Sequence, residues 1–135
     1  MVTEVSDSVL LEQFLQQTLP AAEWTHRAHL RVAFQLSKSH SLEAAFQQMK
    51  HGILALNKVH GVIETPERGY HETITYAWVQ LIHPFAQQLN SSEALFTQYP
   101  QLLQPTFLLQ YYDREVLHSL EARKTYIPSQ RELML

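Results

Sequence analysis

Apolar residues recur every three or four positions along most of this chain, and no stretch alternates with period two long enough to build a strand. On a helix of 3.6 residues per turn such residues share one face. The clearest case follows Ser41. Leu42, Ala45, Phe46, Met49, Ile53 and Leu56 form a stripe of about four turns, with Ser41 as N-cap and Gly61 as the C-terminal stop. An earlier segment, about residues 7–18, aligns Leu10, Leu11, Phe14 and Leu15, and Ser6 or Asp7 can cap it. Pro20 divides it from a second segment, about 25–39. Residues 61–69 (G-V-I-E-T-P-E-R-G) read as a loop. A fourth segment, about 70–90, turns Ile74, Trp78, Leu81, Ile82 and Phe85 inward, and Pro84 predicts a kink or break in it. Shorter helical pieces over 92–99, 106–111 and 114–124 follow, divided by Pro100, Pro105 and Pro128. The expected fold is all-α: a compact bundle of four principal helices with a short C-terminal helical cap. The 135 residues suit a single helical domain over 1–135.

Composition removes several classes of function. Three glycines leave no phosphate loop and no dinucleotide fingerprint. The absence of cysteine excludes disulfides, thiolate metal sites and a thiol nucleophile. A net charge of -3 with scattered basic residues argues against nucleic acid as a partner. No apolar run approaches the ~20 residues that span a bilayer. Residues 1–7 carry acids and no basic region, unlike a secretory signal, so a cytoplasmic location is expected. The expected partner is a small-molecule substrate.

The anomaly is histidine, with eight in the chain. In the second segment, W-T-H-R-A-H-L-R-V-A-F, His26, His29, Leu30, Ala33 and Phe34 share a face, while Arg27, Arg31, Gln35 and Lys38 lie opposite. His71 falls on the stripe of Ile74, Thr75 and Trp78, and the stripe of the third segment reaches His60. Short connections make successive helices antiparallel, which brings His26, His29, His60 and His71 to one end of the bundle. His40, His51, His83 and His118 read as peripheral.

Imidazole is the commonest protein ligand for transition metals. A pair at i,i+3 plus one ligand from another helix gives the three-ligand set of a catalytic metal site. The expectation is therefore a small metal-dependent enzyme, a hydrolase or oxygenase. Its divalent zinc, iron or copper would be held by His26, His29, His71 and His60, with Glu72 as a further ligand or general base. Trp24, Tyr70, Thr75, Tyr76 and Trp78 are candidate walls of a substrate pocket, and Arg68 could hold an anionic group. Arg123 reads as a structural residue that pairs with a carboxylate or binds helix carbonyls to dock the tail, and Tyr111, Tyr112 and Asp113 as a far wall. Two alternatives stand beside this reading. One is a metal-free acid–base enzyme using His71 and Glu72. The other is a non-catalytic module binding a small molecule or protein, with histidines that tie helix ends together.

H-R-A-H-L at 26–30, Y-H-E-T-I-T at 70–75 and S-L-E-A-R at 119–123, followed by Pro128, resemble a family of small uncharacterised bacterial all-helical proteins. The resemblance runs from about Glu12 to Ser129. It implies that His26, His29, His71 and Glu72 belong to the family's pattern, and it implies no particular activity. Members often carry Pro-Asp where this chain has Pro128-Ser129, so a carboxylate role at that position does not carry over.

Overall fold

Side-chain caps set where the helices begin. In the computed structural model, which describes residues 4–135, Ser6, Thr25, Ser41, Ser91 and Ser119 each accept a backbone N–H three residues on. Each cap satisfies one of the N–H groups that a helix start leaves unpaired. The α-helices are α1 (Asp7–Leu15), α2 (His26–Ser39), α3 (Leu42–Val59), α4 (Glu72–Ala86), α5 (Ser92–Gln98), α6 (Arg114–Leu117) and α7 (Leu120–Lys124). Three 3₁₀ turns, Ala21–Glu23, Pro100–Leu103 and Pro105–Gln110, join them. Among the described residues there is no strand, only an isolated bridge between Thr65 and Arg68. The fold is all-α. Residues 1–3, where the reading of the N-terminus begins, lie outside the described residues. Among those described, no helix is long and apolar enough to cross a membrane.

The core forms where α2 crosses α4, the most extensive helix pair, with α1 laid on α2 and α3 against both α2 and α4. Leu30, Phe34, Leu36, Leu56 and Ile82 are fully buried there. Phe14 of α1 sits on Gly52 of α3, where any side chain would collide with its ring. Gly61 closes α3 at φ +76°, a left-handed position that glycine adopts without cost.

Several expected boundaries differ. The fourth segment ends at Ala86 rather than near Asn90, and α4 continues through Pro84 instead of breaking before it. Pro84 stands two residues before the end of α4, so the hydrogen bond it removes, to the carbonyl four residues back, falls in the last turn and the helix stops soon after. Residues 105–110 wind as 3₁₀ rather than α. The 114–124 stretch divides in two, because Ser119 caps a new helix.

The largest departure is Arg31, expected on the polar face of α2 and found only 8% exposed. Its Nε donates to Asp7 Oδ1 at 2.9 Å, Nη1 to Glu4 Oε2 at 2.9 Å and Nη2 to the Val5 carbonyl at 2.6 Å. Asp7 in turn accepts from the Ser92 backbone N–H at 2.9 Å and hydroxyl at 2.6 Å, so one carboxylate joins α1, α2 and the start of α5. Burial pushes the Asp7 carboxyl up, but the Ser92 and Arg31 hydrogen bonds outweigh it and hold it below its usual value.

Removing one partner of a buried pair strands the other, which costs several kcal/mol. Asp7→Ala should lower the unfolding free energy in urea by about 3 kcal/mol. Arg27→Ala, which breaks the exposed pair with Glu4, should cost under about 1 kcal/mol. Equal costs would contradict the anchoring role of Asp7. The lowered Asp7 pKa adds a sign: its contribution is present above the ordinary carboxylate value and is lost on acidification.

Candidate functional site

The N-terminal ends of α2 and α4 and the 61–69 loop meet at one end of the bundle, as the histidine-facing argument requires. Two adjoining cavities open there. The inner one, about 270 Å³, lies between α2, α3 and α4 and is walled by apolar side chains such as Ala33, Met49 and Trp78, with His26 and His29 at its edge. The outer one, about 350 Å³, is bordered by Trp24, His29, Arg68, Tyr70 and His71. His29, Ile53, Ile74 and Thr75 line both. Of the expected pocket residues, Trp24, Arg68, Tyr70, Thr75 and Trp78 therefore border these cavities. Tyr76 does not border either; its ring packs on Phe46 and Tyr126.

The ring nitrogens are largely committed. A backbone carbonyl only accepts, so the nitrogen facing it carries the hydrogen. His26 Nε2 donates to the Leu102 carbonyl at 2.9 Å and leaves Nδ1 as the lone pair. His29 Nδ1 donates to the Thr25 carbonyl at 2.8 Å and leaves Nε2. His60 Nε2 donates to the Leu19 carbonyl at 2.7 Å, and His60 borders neither cavity. His71 uses both nitrogens: Nε2 donates to the Leu117 carbonyl at 2.8 Å, and Nδ1 accepts from the Ile74 N–H at 3.1 Å. His71 is thus the N-cap of α4, in the place serine or threonine fills on other helices.

Glu72 faces a different set of partners. Tyr70 donates its hydroxyl to Oε1 at 2.7 Å, and Lys50 Nζ lies 3.2 Å from the same oxygen. Burial, followed by this bond to Glu72, pushes the Tyr70 phenol well above its usual range.

These positions test whether a zinc, iron or copper ion fits. Among the described residues, no group of three or more histidine and carboxylate side chains is placed to hold one. His71 has no free lone pair, His60 stands apart, and Glu72 is held by Lys50 and Tyr70. The four-histidine donor set is not assembled: His26, His29 and His60 each keep one nitrogen clear of the carbonyl bonds, but His60 lines neither cavity and His71 has committed both of its nitrogens. His26 and His29 are left to line the inner cavity with a free lone pair, short of the three protein ligands usual for a catalytic metal.

The two remaining imidazoles are held neutral. Burial pushes His26 below its usual pKa, and the Leu102 bond only partly opposes this. His29, half-buried by surface area and stacked on Trp24 at 3.7 Å, is pushed down by burial to about 4, against the bond to Thr25 and with a smaller contribution from His26. Burial likewise lowers His71, and the positive charges of Arg123 and His118 add to it.

Arg123 does bind carbonyls, those of Gly69 and Tyr70, at 3.1 and 3.3 Å. Tyr111 and Tyr112 do not wall the cavities; their hydroxyls hold the C-terminal segment through Met134 and Ile127. Met49, Ile53 and Val79 of the inner wall, and Asn57 and Val62 of the outer one, were missed as site residues. They stand on core stripes, or near the loop, and nothing in the sequence marks where the core fails to close. Comparison with family models, with curated proteins and with solved structures gives no match.

The histidine shifts carry a pH dependence. The unfolded chain protonates His29 near 6.5, the folded protein only near 4, so the unfolded state binds the extra proton in between. Stability should be full above about pH 6.5 and fall toward pH 4, by about 3 kcal/mol from His29 alone. Urea unfolding at pH 7 and pH 4.5 checks this, and His29→Gln should flatten the slope. An unchanged slope in the variant would contradict the buried, neutral His29.

Proposed function

We propose that this chain is a small-molecule binding protein whose ligand places an apolar body in the inner cavity and a hydrogen-bond donor against His29 Nε2. The reading is carried by one observation: the cavity is apolar except for Thr75, whose hydroxyl donates to the His71 carbonyl, and imidazoles kept neutral, with His29 and its free lone pair on the wall shared with the outer cavity. Burial that suits an acceptor makes a poor base. A general base works best near the ambient pH, and His29 titrates near 4. Binding is therefore favoured over proton abstraction. The volume of about 270 Å³ exceeds the ~150 Å³ of an engineered apolar cavity that takes benzene. A substituted aromatic ring or short branched chain is of the right size. A transition metal is the second reading, favoured by the i,i+3 pair His26 and His29, each oriented by a carbonyl as metal ligands often are. It needs its remaining ligands from water or substrate.

Trp78 lines the inner cavity and Trp24 stacks on His29, so tryptophan fluorescence reports on occupancy. Phenol should bind about fivefold tighter than toluene, the worth of one net hydrogen bond. The preference should vanish in His29→Phe, and Ala33→Phe should abolish binding of both. Binding of both probes that Ala33→Phe leaves unaltered would contradict the cavity reading. One tight equivalent of zinc, lost in both His26→Ala and His29→Ala, would favour the metal reading instead.

A further inference from the structure

A third cavity, about 280 Å³, adjoins the other two between the 61–69 loop and the His118–Arg123 stretch. Ile74 is a wall of all three cavities, and His71 is a wall of the outer and third. The charge changes along this row. The inner cavity has apolar walls and neutral imidazoles. The outer one carries Arg68, and the third carries Arg123 and His118.

Neither arginine is paired with a carboxylate among the described residues. Glu72 is engaged by Lys50 and Tyr70, and Glu64 by Asn57 and the Tyr70 N–H. Glu67, exposed on the loop, is the carboxylate that borders the third cavity. Arg123 is half-buried. Its Nη1 is spent on the Gly69 and Tyr70 carbonyls, and among the described residues no hydrogen bond uses Nε or Nη2. Those two nitrogens form one edge of the guanidinium, the geometry that binds a carboxylate through two parallel hydrogen bonds.

We propose that the third cavity is an oxyanion subsite and that the ligand is an amphipathic organic acid. Its carboxylate meets the Nε–Nη2 edge of Arg123, with His118 beside it. Its apolar body runs past Ile74 toward His29. The placement of the body rests on the binding function proposed above, whereas recognition of the acid rests on Arg123 and His118 alone. Glu67 opposes the anion from the loop, and its exposure lets solvent screen that repulsion.

The test compares 4-phenylbutyrate with 4-phenylbutanol, which share a body and differ in the acid, by tryptophan fluorescence on the full chain at pH 7. The acid should bind at least about tenfold tighter. Arg123→Gln should reduce that preference to under about threefold. His118→Gln should reduce it in part. Arg123 also holds two loop carbonyls, so Arg123→Lys serves if the glutamine variant does not fold. It keeps a cation, loses the two-nitrogen edge, and should give an intermediate preference. Equal affinity for acid and alcohol in the unaltered protein would overturn the oxyanion subsite and leave the apolar cavity standing. A preference untouched by the Arg123 and His118 substitutions would also overturn it. Binding of neither probe would overturn both proposals.

Discussion

The cavity-bearing end of this bundle depends on imidazole N–H groups donating to backbone carbonyls far along the chain. His26 reaches Leu102, His60 reaches Leu19 and His71 reaches Leu117. Leu102 and Leu117 lie at the ends of short helical pieces, where carbonyls lack an intrahelical partner. A buried carbonyl left unpaired costs about 1–3 kcal/mol, so His26 and His71 each close a gap that the short C-terminal elements create, and His60 does the same for the segment after α1. Thr73 adds to the attachment by donating to Ala122 and accepting from Ile127. The C-terminal third is thereby fastened to α2 and α4, although its own helices are too short to be stable alone.

These bonds also set the chemistry. A nitrogen that donates to a carbonyl fixes the tautomer of the whole ring, leaving the opposite nitrogen as an acceptor. On His71 that acceptor caps α4, which removes it from any ligand. His29 differs in that its carbonyl partner, Thr25, is one turn back on its own helix. Its other nitrogen is left for the cavity, in surroundings that keep it uncharged. A group so placed recognises a donor well and abstracts a proton poorly.

The parts of the structure that depend on local spacing were legible in the sequence. Helical periodicity placed His26, His29 and His71 inward, and Ser6 (beside Asp7) and Ser41 were readable as caps, whereas the Thr25 cap emerges only in the structure. The 61–69 loop was readable from Gly61, Pro66 and Gly69, and it does border the outer cavity through Val62, Arg68 and Gly69. The partners of inward side chains were not legible, because they arrive from distant segments. Periodicity says that His71 faces in but not that the Leu117 carbonyl waits there. It placed Arg31 with Arg27 on a solvated face, since the approach of Asp7 and Ser92 is set by how α1 and α5 pack. Helical facing makes His118 peripheral, yet it borders a cavity built by the loop and Arg123. Convergence of residue types was thus readable, and the use of their nitrogens was not.

Nitrogen-15 NMR of the histidine side chains tests this most directly, since the shifts of Nδ1 and Nε2 report both charge and tautomer. At pH 8 the expected spectrum has each ring in a single tautomer, with the hydrogen on Nε2 of His26 and His71 and on Nδ1 of His29. The opposite tautomers, or rings that exchange freely between the two, would contradict the carbonyl bonds on which the site is built.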